Sequence, residues 1–443
     1  MTDNDRRGLT VPRGRLSRLG QFGRMAGGVA GGMLAEGARR LADGERPRMR
    51  DMLLTQGNVG RVADRLSHLR GAAMKLGQMI SLDSGEMLPA ELSDIMARLR
   101  DRAHHMPPPQ LQRVLDGEWG KGWRTRFARF DATPIAAASI GQVHRALTHD
   151  GRELAIKIQY PGVRQSIDAD VDNVATLLRI SNLLPRELDI TPLLAEAKLQ
   201  LHEETDYIRE GAQMDAYRHL LDERPEFVVP AMEPEFTTAN ALAMTYVAGR
   251  RIETVETADQ DERDRVTALI FGLVLDELFR FGVMQTDPNF ANYRYQPETG
   301  RIVLLDFGAT RAVKPATADA YRSLMIAGLA GDREAARTAA LDAGFIGPAV
   351  MTRHRALIDR MIDVVFTATS KPGSFDFADR AFLGVLREQG MTVASDRASW
   401  HIPPTDTLFV QRKISGTALL AARLRAKVDI RAQVAAHMGE QAR

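Results

Sequence analysis

The sequence predicts an α+β protein in which a small, strand-bearing lobe precedes a larger and mostly helical one. Three observations predict it. Residues 153–159 alternate as a strand, and extended runs recur at 227–230 and 242–249. Apolar residues at three-to-four spacing mark helices within 58–103, at 266–281 and from about 316 onward. Between the last two, residues 292–305 read as a hairpin, strand-like at 292–295 and 301–305 and joined by Pro297-Glu298-Thr299-Gly300, which is turn chemistry.

The chain has 443 residues, enough for two or three domain-sized units and a substantial core. Lys and Arg total 59 against 57 Asp and Glu, a balance that gives no argument for nucleic acid as a partner. Cysteine is absent, which excludes disulfides, thiolate metal sites and a cysteine nucleophile together. Of the ten scattered His, the adjacent pair His104-His105 precedes Pro107-Pro108-Pro109 at what reads as a helix-to-loop exit, and is expected to be solvated. No apolar run approaches the ~20 residues of a spanning helix, and there is no secretory segment. A location on the cytoplasmic side is therefore expected.

Residues 1–54 read as a disordered, Gly-rich arm. The first fifty hold eleven Arg, no Lys and five acids, which leaves the rest of the chain net acidic. Gly23, Gly27, Gly28, Gly31 and Gly32 recur at the close spacing that lets helices approach, so a homodimer through this segment is one reading. The apolar core at 25–35 is too short to span, but Arg18, Arg24, Arg39 and Arg40 around it would suit an anionic lipid surface. A flexible Gly-rich arm without such a partner accounts for the same residues. Residues 55–110 read as a helical extension. One helix carries Val62, Leu66, Leu69, Ala73 and Leu76 on a face; a second, opening near Pro89, carries Leu92, Ile95, Met96 and Leu99. The first ends in Lys75-Leu76-Gly77-Gln78, with Lys75 and Gln78 side by side. Taken alone, Lys75 reads as a solvated helix-end cation.

Residues 111–250 read as the small lobe, with Trp123, Phe127 and Phe130 for aromatic packing. Lys157 follows Ala155-Ile156 on a strand, the position of a lysine that grips the α- and β-phosphates of ATP. The segment before it, Ala136-Ala137-Ala138-Ser139-Ile140-Gly141, stands where a Gly-rich phosphate cover would be. Alanine restricts the positive-φ geometries that glycine supplies, so a differently shaped cover is expected. Residues 191–221 read as one long helix opened by Thr191-Pro192 and carrying Glu204, Asp206 and Glu210. Lys157 requires a carboxylate from this region. Asp206 and Glu210 would share a face of a regular helix and Glu204 would not, so the three acids serve more than one partner; a solvated acidic face is the plainer alternative. The runs at 227–230 and 242–249 then stand as the last small-lobe strand and the hinge beside which adenine binds.

Residues 251–443 read as the helical lobe. Asp287 and Asn292 stand five apart, and Asp306 follows fourteen residues later at the head of Asp306-Phe307-Gly308. Phosphoryl transfer from ATP needs this set: one carboxylate to orient the attacking oxygen, and an amide oxygen with a second carboxylate to hold Mg²⁺. A lone Asp-Phe-Gly would also suit a loop cap after a buried strand. The hairpin, however, would bring Asn292 and Asp306 to neighbouring strand ends. After Gly308, residues 309–315 run almost directly into a helix, so the activation segment that docks peptides in protein kinases is missing.

Read in order, Lys75-Leu76-Gly77-Gln78, the Ala-rich stretch 136–142, Glu204-Thr205-Asp206, the run Gln285-Thr286-Asp287-Pro288-Asn289-Phe290-Ala291-Asn292 and Asp306-Phe307-Gly308 resemble the UbiB/AarF family of atypical kinase-like proteins. The catalytic-loop version resembles the mitochondrial and alphaproteobacterial coenzyme Q branch, as does the Gly-rich stretch at 23–32. The resemblance covers roughly 55–430. It implies a protein-kinase-like two-lobe fold with the N-terminal helical extension over the nucleotide cleft. It implies ATP and Mg²⁺ as cofactors, and an ATPase supporting ubiquinone biosynthesis while peripherally associated with the inner membrane. By position, Ala137, Ala138, Ser139 and Gly141 would cover the nucleotide, Lys157 would bind phosphate and pair with Glu210, and Asp287 would be the catalytic carboxylate. Asn292 and Asp306 would be the metal ligands. Lys75 and Gln78 would enter the cleft, with Lys75 held by Glu204 and Asp206. Anionic lipids, ubiquinone precursors and their biosynthetic enzymes are the partners it suggests. A small-molecule or lipid kinase, and a nucleotide-gated scaffold, remain as alternatives.

Overall fold

The computed structural model describes residues 105–138, 140–180, 190–369 and 403–439, with short stretches between 373 and 401. The arm and the helical extension expected before residue 105 lie outside the described residues. The chain divides into two compact units, Met1–Asp215 with Ala231–Tyr246, and Ala216–Pro230 with Val247–Arg443.

In the first unit, α1 (Pro108–Trp119) opens with proline in its first turn. The proline run that reads as a loop exit instead starts a helix, because a missing N–H costs nothing where no intrahelical acceptor exists. Leu111 and Leu115 of α1 pack with Trp123, Phe127, Leu154, Ile156 and Phe236 in one buried cluster. Trp123, Phe127 and Phe130 contact one another edge-on, with centroids 4.8–6.3 Å apart. Strands β1 (Phe127–Phe130), β2 (Ala136–Ala137), β3 (Gly141–Thr148) and β4 (Glu153–Gln159) follow. Antiparallel pairing places β1 and β2 along one edge of β3, then β4.

The long helix expected over 191–221 is two. After α2 (Val163–Ile180) come α3 (Thr191–Glu204) and α4 (Tyr207–Leu220), separated by Thr205 and Asp206. The Asp206 carboxylate accepts from the Arg209 N–H at 3.0 Å, so it starts a new helix in preference to continuing the old one. A second difference concerns β5 (Phe227–Val228), which was expected to end the small sheet. It pairs in parallel with a strand of the second unit, and β6 (Ala241–Thr245) completes the small sheet beside β4. Two residues carry no periodicity from which a partner could be read.

The second unit holds β7 (Arg250–Arg251), α5 (Gln260–Asp276) and a π-helical turn at Glu277–Phe281. Strands β8 (Val283–Gln285), β9 (Tyr293–Gln296), β10 (Arg301–Leu304) and β11 (Thr310–Ala312) come next. The hairpin expected at 292–305 is β9–β10, with Tyr293 opposite Leu304 and Tyr295 opposite Ile302, in a sheet ordered β5-β10-β9-β7. Strands β8 and β11 pair separately. Helices α6 (Pro315–Ala330), α7 (Arg333–Asp342), α8 (Pro348–Thr369), α9 (Thr405–Leu424) and α10 (Ile430–Gly439) supply the rest, together with a short β12–β13 pair (Phe375–Asp376 and Lys427–Val428). Val274, Leu275 and Leu278 on or just after α5 pack with Met284, Tyr321 of α6, Val410 of α9 and Val434 of α10. That packing seats α9 behind the segment containing Asp287.

Candidate phosphoryl-transfer residues

Strand β4 lies between β3 and β6, and Lys157 sits opposite Val143 on one side and Leu242 on the other. Its side chain is 10 % exposed and that of Glu210 1 %; Lys157 Nζ donates to the two Glu210 oxygens at 2.8 and 2.9 Å. Two groups this deep are stable only together, since removing one leaves a buried charge uncompensated. Glu210 reaches Lys157 because α4 restarts at Tyr207. The Tyr207 ring lies 5.2 Å from the same ammonium, and Gln159 Nε2 donates to Thr205 O at 3.2 Å, tying the helix junction to the end of β4.

The Ala-rich segment closes as a tight turn. Ala136 and Ala137 pair with Val143 and Gln142, and the Ala138 N–H donates to Gly141 O at 2.9 Å. Gly141 has no room for a side chain: a Cβ there would stand 2.4 Å from Ile158 O and 3.0 Å from the Tyr207 hydroxyl. Behind the turn, the Met106 N–H donates to Gln142 Oε1 at 2.7 Å and Gln142 contacts His144 Nε2 at 2.8 Å. His144 Nδ1 reaches Asp131 O at 2.8 Å. The carbonyl can only accept, so Nδ1 carries the proton and Nε2 accepts from the Gln142 amide. Burial, outweighing the Asp131 carbonyl, lowers the His144 pKa to about 4.

In the second unit, Asp287 and Asn292 belong to the connection from β8 to β9. Asn292 Nδ2 donates to Asp287 O at 3.2 Å, which turns the amide oxygen away from that bond. Asp306 Oδ1 accepts from the Gly308 N–H at 3.0 Å, and the Leu305 N–H bonds Asn292 O at 3.0 Å, so the hairpin does bring the Asn292 and Asp306 segments together. A carboxylate and an amide oxygen are hard donors of the kind Mg²⁺ takes alongside phosphate and water. Among the described residues, no group of three His, Asp or Glu side chains is placed to hold a metal by itself. Phe307 is 1 % exposed and packs on Tyr217 at 5.1 Å. The Tyr217 hydroxyl donates to Glu277 Oε1 at 2.9 Å.

Some residues at this site carry no sequence motif. Burial raises the pKa of Glu277 against the pull of Lys413 and Tyr217. Burial opposes the charge on Lys413, yet Glu277 and Tyr293 hold its pKa above the ordinary lysine value. Three residues along α9, a Cβ on Gly416 would come 2.1 Å from Pro288 Cβ, so the loop bearing Asp287 rests directly on that helix. One sign was available: Lys413 interrupts a stripe of apolar or small residues through Val410, Thr417, Leu420 and Leu424. Ser139, Lys75 and Gln78 lie outside the described residues. Glu204 ends α3, largely buried, and Asp206 caps α4.

Among the described residues, no helix is long and apolar enough to cross a membrane. A model of the ABC1 atypical kinase-like domain matches residues 98–340. The chain is similar to the mitochondrial atypical kinase COQ8 of Saccharomyces cerevisiae, at 37 % identity over 95 % of this chain and 84 % of that one. Similarity to the mitochondrial atypical kinase COQ8B of Rattus norvegicus is 36 %, over 95 % of this chain and 80 % of that one. Among solved structures, Rv3197 of Mycobacterium tuberculosis, determined with erythromycin, superposes with a TM-score of 0.59 at 28 % identity, covering 83 % of this chain and 92 % of that one. The fold is a mixed α/β, protein-kinase-like one, and the chain belongs to the ABC1/UbiB family of atypical kinase-like proteins.

Proposed function

We propose that the protein binds Mg-ATP and uses it as an atypical kinase or ATPase that supports ubiquinone biosynthesis at a membrane surface. The observation that carries this reading is the buried Lys157–Glu210 pair, with both carboxylate oxygens at 2.8–2.9 Å from the ammonium. A kinase uses such a pair to aim its lysine at the α- and β-phosphates. Asn292 and Asp306 would hold Mg²⁺, which when bound neutralises charge on the transferred phosphate. Asp287 would orient the attacking oxygen and accept its proton. Ala137, Ala138 and Gly141 would lie over the nucleotide, with Ser139, Lys75 and Gln78 contributing from outside the described residues. Kinship with mitochondrial atypical kinases, and the resemblance of the Gln285–Asn292 run to the coenzyme Q branch, support ubiquinone biosynthesis as the process served.

A specific observation favours a small acceptor over a protein. Only Val313 and Lys314 separate β11 from α6, leaving no length for a peptide-docking segment. The test of the nucleotide site is thermal unfolding with ATP, with and without Mg²⁺. Asp306→Asn keeps an acceptor for the Gly308 N–H but loses the metal-binding charge, so the Mg²⁺-dependent part of the ATP shift should vanish. An unchanged shift would remove Asp306 from the site. ATP turnover measured with anionic vesicles and a ubiquinone-precursor mimic tests the process; turnover indifferent to both would count against it.

A further inference from the structure

Lys413 occupies a stripe position of α9 that its helical neighbours fill with apolar or small residues, and its side chain is 1 % exposed. A buried ammonium needs a counter-charge, and Glu277 supplies one at 3.4 Å. Charge compensation would be complete with that contact, yet Lys413 makes two more. Its Nζ donates to Gln285 Oε1 at 3.2 Å and to Tyr293 Oη at 3.0 Å. Gln285 is the last residue of β8 and Tyr293 the first of β9, so these contacts fall on either side of the segment that holds Asp287 and Asn292. Glu277 adds to the grip, because its Oε1 accepts from the Gln285 N–H at 3.3 Å. Inside the segment, the Asn292 amide is bonded to the backbone carbonyl of Asp287, so holding the two ends also restrains the loop that carries both residues. Gly416 of the same helix touches Pro288 between the anchors.

The geometry points to Lys413 as the positioning residue of the catalytic loop: with Glu277 it holds Gln285 and Tyr293 in fixed relation, and through them the Asp287 carboxylate and the Asn292 amide. This inference rests on the roles proposed above for Asp287 and Asn292. Stability is a weak account of the arrangement, since replacing both partners of a buried ion pair by apolar residues is often neutral. A clamp joining residues eight apart in sequence does account for it.

The experiment uses the full-length protein and two readouts, hydrogen exchange of amides 286–292 and ATP turnover. In Lys413→Met these amides should exchange about tenfold faster or more. Its kcat should fall by about tenfold to a hundredfold, the effect of a small misplacement of catalytic groups, while KM for ATP changes far less. Tyr293→Phe removes one anchor with little change in shape, and should give a smaller effect in the same direction. The double variant should be no worse than Lys413→Met, because both act along one path. Parental exchange and parental kcat in a folded Lys413→Met protein would overturn the inference. Should Lys413→Met fail to fold, Tyr293→Phe decides, and parental exchange of 286–292 there would likewise overturn it. A parent without ATP turnover would instead sink the reading of the activity, and the exchange measurement would still decide the clamp.

Discussion

Side chains close in sequence are placed by the loop or hairpin between them, whatever the rest of the chain does. Asp287, Asn292 and Asp306 stand out by spacing, because a loop and a hairpin of fixed length must bring them together. Lys413 and Glu277 are 136 residues apart, and no local pattern announces such a pair. The Gln142–His144 chain was hidden for a similar reason: its other members, Met106 and Asp131, come from separate segments. That chain has a pH consequence. His144 is held neutral, with its pKa lowered by burial from 6.5 to about 4, so between those values the unfolded state binds more protons than the folded one. Its contribution to stability is present above pH ~6.5 and is lost as pH falls toward ~4, by about 3 kcal/mol in all. Protonating Nε2 would also turn an N–H toward the Gln142 amide that now donates to it. His144→Gln should therefore flatten the decline in melting temperature between pH 7 and 4.5 relative to the parent. Parallel declines would show that acid sensitivity arises elsewhere.

Elements with a long period or a strong turn were equally readable, and short or interrupted ones were not. Strand β4 and the β9–β10 hairpin match their sequence signals. The two-residue β5 has no period, and its partner was fixed by the open edge of β10. The helix over 191–221 failed for a different reason. Helix-forming residues stand on both sides of Thr205 and Asp206, but the local cap is the stronger signal. This bears on what Asp206 does, because the resemblance assigns its charge to Lys75, whereas its carboxylate caps α4 through the Arg209 N–H. Asparagine caps about as well as aspartate; alanine does not, and losing such a cap costs roughly 0.5–2 kcal/mol. If capping dominates, Asp206→Ala should lower stability by that amount and Asp206→Asn should stay near the parent in urea unfolding. Equal losses in both variants would show that the charge, and not the cap, is what the site needs.

For the whole molecule, the order of the motifs carries the family, while the division of charge carries the expectation about membranes. The first fifty residues hold eleven arginines against five acids, and the full chain has a net charge of only +2, so everything after the arm is net acidic. A net acidic body is repelled by an anionic surface, so attachment to such a surface is expected through the arm. Arg18, Arg24, Arg39 and Arg40 flank the apolar core at 25–35, and each basic residue near an anionic bilayer contributes about 1 kcal/mol. Four of them correspond to about a thousandfold in partition. The full-length chain should co-sediment with phosphatidylglycerol or cardiolipin vesicles in low salt and leave them as screening shortens the reach of the charges. It should ignore zwitterionic vesicles. A chain lacking residues 1–40 keeps the acidic body and loses these arginines, so it should stay in the supernatant with every lipid. Undiminished sedimentation of that truncated chain would place the attachment surface in the body, against its net charge.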